Sequence, residues 1–195
     1  MPRAVRRAGG ALVVAGCALA TVAGCGLWGG PDVPDDFTTA EIETIEVSHP
    51  PGWDRSAARD EDGVPNEKVT AVDIVHEEEG VEAARVSVVH QMEFGRSPEF
   101  AVGVAVRQRN GVLPRYRDER EKVFNTGAEG AYRVDFSFED PDGEVTGEEG
   151  ATTKGIDIVM VGRDHYAHHV SVSWNPDRFD SATAEQIAET VYLHD

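Results

Sequence analysis

The sequence predicts an α+β fold, an antiparallel β-sheet flanked by helices. Three observations carry that expectation. Most of the chain beyond residue 40 alternates apolar and polar residues at period two, as half-buried strands do. Two segments change to a helical period, one opening at Ser97-Pro98-Glu99 and one running from Ala182 to Tyr192. The strands follow one another with only these scattered helices between them, which suits an antiparallel sheet rather than repeated βαβ units.

The chain opens with a targeting segment. Arg3, Arg6 and Arg7 precede an uncharged stretch, Ala8 to Gly24, and the first acidic residue is Asp32. A basic start, an apolar middle and small residues at the end make a secretory signal peptide over residues 1–24. The uncharged part is rich in Gly and Ala and falls short of the roughly 20 strongly apolar residues that a spanning helix needs. Arg6-Arg7 is followed by Ala-Gly-Gly rather than an apolar pair, so Sec export is expected over the twin-arginine route.

The tetrapeptide Val-Ala-Gly-Cys occurs twice, ending at Cys17 and at Cys25. Both copies resemble the bacterial lipobox, whose cysteine is lipidated and becomes the first mature residue. Cys17 is followed by more apolar residues, whereas Cys25 is followed by Gly-Leu-Trp-Gly-Gly-Pro-Asp, a flexible tether over residues 25–36. Cys25 is therefore the expected lipidation site, and Cys17 lies in the discarded peptide. At about 0.8 kcal/mol per buried methylene, two or more acyl chains hold a protein stably at a membrane. The expected location is the outer face of the cell membrane. No thiol then remains for a disulfide, a redox pair or a cysteine-ligated metal.

The chain carries 36 acidic and 18 basic residues, a net charge of -18. Loss of the three signal-peptide arginines takes this to about -21. Such a domain repels phosphate backbones, so nucleic acid is not an expected partner. The residues after the tether, 37–195, suffice for a single domain with its own core.

Within that domain the elements follow in order. Glu43 to Ser48 reads as a strand, ended by Pro50-Pro51-Gly52, with Trp53 beyond the turn. Asp54 to Glu67 is polar and reads as a loop. Lys68 to His76 and Ala83 to Met92 read as strands around an acidic loop, Glu77 to Glu82. Ser97 caps a helix with Pro98 at its first position, and the amphipathic pattern runs to about Arg109. Tyr116 to Phe124 is a charged strand suited to a sheet edge. Ala131 to Glu139 alternates Tyr132, Val134, Phe136 and Phe138 against polar neighbours. Thr152 to Val161 and His165 to Trp174 form a hairpin around Gly162-Arg163-Asp164, with Ile156, Ile158 and Met160 facing inward with Tyr166, His168, Val170 and Val172. The last helix, to Tyr192, carries an apolar stripe of Ala184, Ile187, Ala188 and Val191.

The order of these pieces resembles the PsbP-like fold found in many lipoproteins of GC-rich Gram-positive bacteria. The stretches that carry the likeness are I-E-V-S-H-P-P-G-W (Ile45 to Trp53), G-A-E-G-A-Y-R-V-D-F-S-F (Gly127 to Phe138) and the hairpin and helix from Gly155 to Ile187. The resemblance implies an α/β/α sandwich and a non-enzymatic binding or accessory domain. It transfers no site residue, because that family shares a fold and not an active site.

Candidate sites are few. In His165-Tyr166-Ala167-His168-His169, His165 and His169 would share a strand face about 13 Å apart, too far to chelate one ion alone. The expected hairpin register sets Asp157 opposite His169, and a surface ion pair accounts for the two more simply than a metal site. His165, His169 and Asp157 remain the only metal candidates there. Asp140, Asp142, Glu144, Glu148 and Glu149 lack the glycine and glutamate spacing of an EF-hand loop and read as a hairpin turn. Glu77 to Glu79 reads as a solvated loop. Arg115, Arg117, Arg120 and Lys122 form a basic patch broken by acids. No nucleophile elbow, phosphate-binding glycine loop, H-E-x-x-H helix or C-x-x-C pair occurs, and no cofactor is expected. The leading expectation is a non-enzymatic, lipid-anchored binding domain for a protein or a small apolar ligand. The alternatives are a cell-envelope hydrolase using a histidine such as His165 or His169 with a carboxylate such as Asp157, and a metal-binding envelope protein.

Overall fold

The structure is a computed structural model that describes residues 30–57, 70–94, 97, 99–102, 113, 115–123, 125–142 and 148–194. Its strands are β1 (Thr38–Ile42), β2 (Ile45–His49), β3 (Asp54–Ala57), β4 (Thr70–Glu78), β5 (Val81–Phe94), β6 (Arg117–Val123), β7 (Gly130–Asp140), β8 (Ala151–Val161), β9 (Tyr166–Trp174) and β10 (Tyr192–Leu193). They form a three-stranded sheet in the order β1-β2-β10 and a seven-stranded sheet in the order β3-β4-β5-β9-β8-β7-β6. Every neighbouring pair is antiparallel.

The expected helix-flanked α/β/α sandwich is not what forms. The described residues are mainly β, with 57% of them in strands against 10% in helix. The layer assigned to helices on one face of the large sheet is built largely by a second sheet. That sheet comes from segments too short to show a period: Thr38–Ile42 beside the tether and Tyr192–Leu193 at the end of the helical pattern. Asp54–Ala57, inside the expected polar loop, adds an edge strand to the large sheet. Its four exposed residues carry no burial signal at all.

Burial explains the layering. Ile74, Val86, Val88, Ile156, Ile158, Met160, Val170 and Val172 on one face of the large sheet pack against Ile42, Ile45, Val47 and Leu193 of the small sheet. Ala184, Ile187 and Ala188 of the helix Ser181–Glu189 complete that core. Asp180 caps the helix, its Oδ2 accepting from Thr183 N at 2.9 Å. The helix ends short of the expected Tyr192. Thr190 takes it out: its Oγ1 donates to Ile187 O at 2.7 Å and accepts from Ser48 N of β2 at 2.8 Å. Beyond it, Leu193 N donates to Thr126 O at 2.7 Å and His194 N to Thr44 O at 2.8 Å. These bonds recruit the last residues as a strand.

A smaller cluster covers the other face of the large sheet, where Ala101 and Val102 pack on Val134, Val159, Val161 and Ala167. Residues 99–102 are helical, with Ser97 Oγ accepting from Phe100 N at 3.2 Å. The rest of the expected helix, to Arg109, lies outside the described residues.

Turn chemistry sets the registers. The expected six-residue acidic loop is a two-residue turn, because Glu79 (φ 55°) and Gly80 (φ 79°) both take the left-handed conformation that a tight hairpin needs. The β8–β9 loop is displaced by one residue from the expected Gly162–Asp164. Gly162 N donates to Tyr166 O at 3.3 Å, so the loop is Arg163–His165, and His165 holds the left-handed place (φ 64°). Ile156 therefore opposes Val172, and Asp157 opposes Ser171 rather than His169.

Candidate functional site

The face of the large sheet turned away from the main core carries a lateral row of polar side chains. Across five strands, Ser56, Asp73, Ser87, Ser171 and Asp157 occupy successive paired positions. Asp73 is 9% exposed, and its carboxylate accepts from Ser87 Oγ at 2.6 Å and from Arg85 Nη1 at 2.9 Å. The Arg85 guanidinium also grips Glu82 with two nitrogens. The Glu82 hydrogen bond, against the opposing cost of burial, and then the charges of Glu82 and Asp73 hold the Arg85 pKa above its ordinary value. Arg85 is thus a fixed cation with a defined direction.

Beside this row, towards the end where β5 and β8 begin, lies a cleft of about 400 Å3. Phe136 and Phe138 of β7, Ala83 of β5, Thr153 of β8 and Ser173 of β9 line it, with Val81, Glu82, Arg85, Glu148 and Leu113 around them. Gly155 makes its aromatic side possible. The Phe136 ring lies over the Gly155 backbone so closely that a Cβ there would stand 2.1 Å from Phe136 Cζ. The cleft has the size of small-molecule sites, and its lining is polar and apolar in equal measure. An adjoining groove of about 380 Å3 shares Glu148, Ala151 and Asn175 with it.

His169 and Asp157 do meet: His169 Nε2 lies 3.0 Å from Asp157 Oδ1. The approach is diagonal, since Val159 is the residue opposite His169. The ring N–H is not aimed along it, so the contact is an ion pair by distance and not a hydrogen bond. The expected surface pair is instead buried, with side-chain exposures of 0% for Asp157 and 14% for His169. The single-strand alternation placed both correctly on one face but could not show that this face is covered as well. His165 is an exposed turn residue and does not join them. Among the described residues, no three His, Cys, Asp or Glu side chains converge as a metal site.

Other candidates resolve as follows. His168 is 1% exposed and its Nδ1 accepts from Gln91 N at 3.3 Å. Asp140 is buried and Asp142 exposed, while Glu144, Cys17 and Cys25 lie outside the described residues. The basic patch is largely internally paired: Arg120 with Asp118 at 2.8 Å, Lys122 with Glu99 at 3.6 Å, and Arg115 with Glu139. Glu78 and Glu79 of the β4–β5 turn and Glu148 and Glu149, read separately along the chain, share the groove. Sequence reasoning missed the cleft because the buried face of β7 is not the one in the main core. Alternation put Phe136 and Phe138 on one face without saying which face that was.

The class of protein that fold and site define is a mainly β domain of two antiparallel sheets with an aromatic cleft on the outer face of the larger one. No protein-family model matches the chain, and no curated protein matches it. Among solved structures it is similar to a protein of unknown function from Pseudomonas aeruginosa, at 12% identity and a TM-score of 0.47, over 82% of this chain and 98% of that one. At that score and identity the likeness carries no argument about fold or function.

Proposed function

We propose that the protein is a lipid-anchored binding domain on the outer face of the cell membrane, held through Cys25, whose cleft takes a small and largely apolar ligand without transforming it. The observation that carries this reading is the cleft walled by Phe136 and Phe138. Its placement supports the reading. The described chain begins at Gly30, which lies with Pro31 against Val123, Thr126 and Val191. Four residues lie between Cys25 and Gly30 in the sequence, a reach of at most about 18 Å, so a lipid on Cys25 would tether the domain from that side. Along β8, Ile158 of the tether side and Thr153 of the cleft are five positions apart, about 17 Å, and face opposite ways.

The hydrolase alternative loses ground because Nε2 of His169 is buried beside a buried carboxylate, out of reach of a substrate. The metal-binding alternative has no converging ligand set among the described residues.

The test combines two measurements on protein from an exporting host. Intact mass of the membrane fraction should show a diacylglycerol-bearing chain beginning at Cys25, and C25A should appear in the medium. Native mass spectrometry of the C25A chain, purified without metal-affinity chromatography, should show a small-molecule adduct that is lost when Gly155→Ala fills the cleft. An unmodified mature chain overturns the anchor. An adduct indifferent to the Gly155 substitution overturns the cleft as its site.

A further inference from the structure

We infer that the ligand of the cleft is an organic cation, an ammonium carried on an aromatic or apolar body. The inference rests on the proposed binding function and names the chemistry of what is bound. The cleft is the site; the charges around it decide the sign of its occupant.

Three observations point the same way. Phe136 and Phe138 line one wall, and an aromatic ring attracts a cation through its quadrupole where it attracts no anion. The rim and the adjoining groove together hold Glu78, Glu79, Glu82, Glu148, Glu149 and Asp177 against Arg85 and Arg178 among the described residues. Both guanidiniums are already committed, Arg85 to Glu82 and Asp73 and Arg178 to Glu148. An incoming anion would have to displace a carboxylate to reach either one. An incoming cation meets four carboxylates beyond those two pairs. Glu148, which lines both cleft and groove, keeps a side-chain exposure of 48% and can turn towards a bound ammonium. The whole mature domain, at about -21, adds an attractive field that raises the local concentration of cations. At about 400 Å3 the cleft admits a body of the size of one substituted ring, with the ammonium projecting into the groove.

The experiment titrates four probes into the mature chain bearing C25S, which needs no detergent, and follows the amide signals of Thr153, Ser173 and Asn175 by NMR. Benzyltrimethylammonium joins ring and charge; tetramethylammonium has the charge alone, benzyl alcohol the ring alone, and p-toluenesulfonate the ring with the opposite charge. Benzyltrimethylammonium should bind most tightly, and E148Q/E149Q should weaken it by about 3- to 10-fold, as loss of two partly exposed charges implies. Raising the salt should weaken it in the same sense. Equal binding of tetramethylammonium would overturn the role of the aromatic wall. Equal or tighter binding of benzyl alcohol or p-toluenesulfonate would overturn the cation while leaving the cleft as a ligand site. No shift with any of the four would overturn both the cation and the cleft. Because Glu148 and Glu149 are exposed, the variant keeps its fold, which the unchanged remainder of the spectrum reports.

Discussion

His169→Ala separates a structural from a catalytic role for the one histidine–carboxylate pair that the sequence singled out. The substitution leaves Asp157, with a side chain 0% exposed, without the group 3.0 Å from its Oδ1. Breaking a buried pair by removing one partner costs about 3–5 kcal/mol in practice. Asp157 keeps further contacts, which place the expected loss towards the lower end of that range. Asp157→Asn removes the charge and leaves an amide in a polar row, so it should cost only about 1–3 kcal/mol. The double variant should then lose less than the sum of the two single ones. Urea unfolding monitored by circular dichroism reads all four proteins. With a slope of about 2 kcal/mol/M, His169→Ala should lower the midpoint by about 1.5 M or more, at unchanged slope. A loss below about 1 kcal/mol, or strict additivity of the two single losses, would refute the reasoning. Unchanged stability with loss of a turnover on envelope substrates would restore the hydrolase reading.

Three further outcomes are expected. Gly155→Ala should drive the Phe136 ring into the cleft, cost about 1–3 kcal/mol in denaturant unfolding as overpacking does, and close the site; a neutral variant with an open cleft would show that Phe136 is free to move. Gly127→Ala should unseat β10, because Gly127 has φ +75° and a Cβ there would stand 2.0 Å from Leu193 O. Its signature is faster hydrogen exchange at the Leu193 amide, which now donates to Thr126 O, and unchanged exchange there would contradict the account. Asp180→Ala should destabilise the domain in a pH-dependent way. Hydrogen bonds from Thr183 N and then Oγ1 hold the Asp180 carboxyl below its ordinary pKa, so its contribution is present above the ordinary carboxylate range and is lost as pH falls through the lowered value. The gap in melting temperature between parent and variant should therefore be full at neutral pH and shrink in acid; a constant gap would count against the cap.

Several parts of this protein were legible in one dimension, each for a local reason. Seven strands of the large and small sheets are legible in the sequence, six through a buried apolar face and β6 through the charge that suits a sheet edge. Ile156, Ile158, Met160, His168, Val170 and Val172 of the inward set follow from strand parity alone and are found buried, while Tyr166 is half-buried. Ser97 and the apolar stripe of Ala184, Ile187 and Ala188 mark helical segments through capping and periodicity.

What escaped depends on contacts between distant segments. β1, β3 and β10 have five, four and two residues, and their strand conformation comes from partners rather than from their own pattern. Whether a helix or a sheet covers the core could not be read from the core residues, since both layers present the same apolar surface. Hairpin register turned on which residue of Gly162–His165 accepts the left-handed conformation, and a one-residue displacement of that loop was enough to set Asp157 opposite Ser171.

The sequence by itself determined the acidity and most of the strands, and it carries the expectation of an export signal and a lipidated cysteine, because these are properties of contiguous residues. Only the tertiary structure decided the rest. Strands far apart in the chain bring Phe136, Phe138, Arg85, Thr153 and Ser173 to one wall, and turns at Glu79 and Gly150 bring two acidic loops to its rim. A cleft is a relation between surfaces, fixed by which strands pair, and no single stretch of chain contains it.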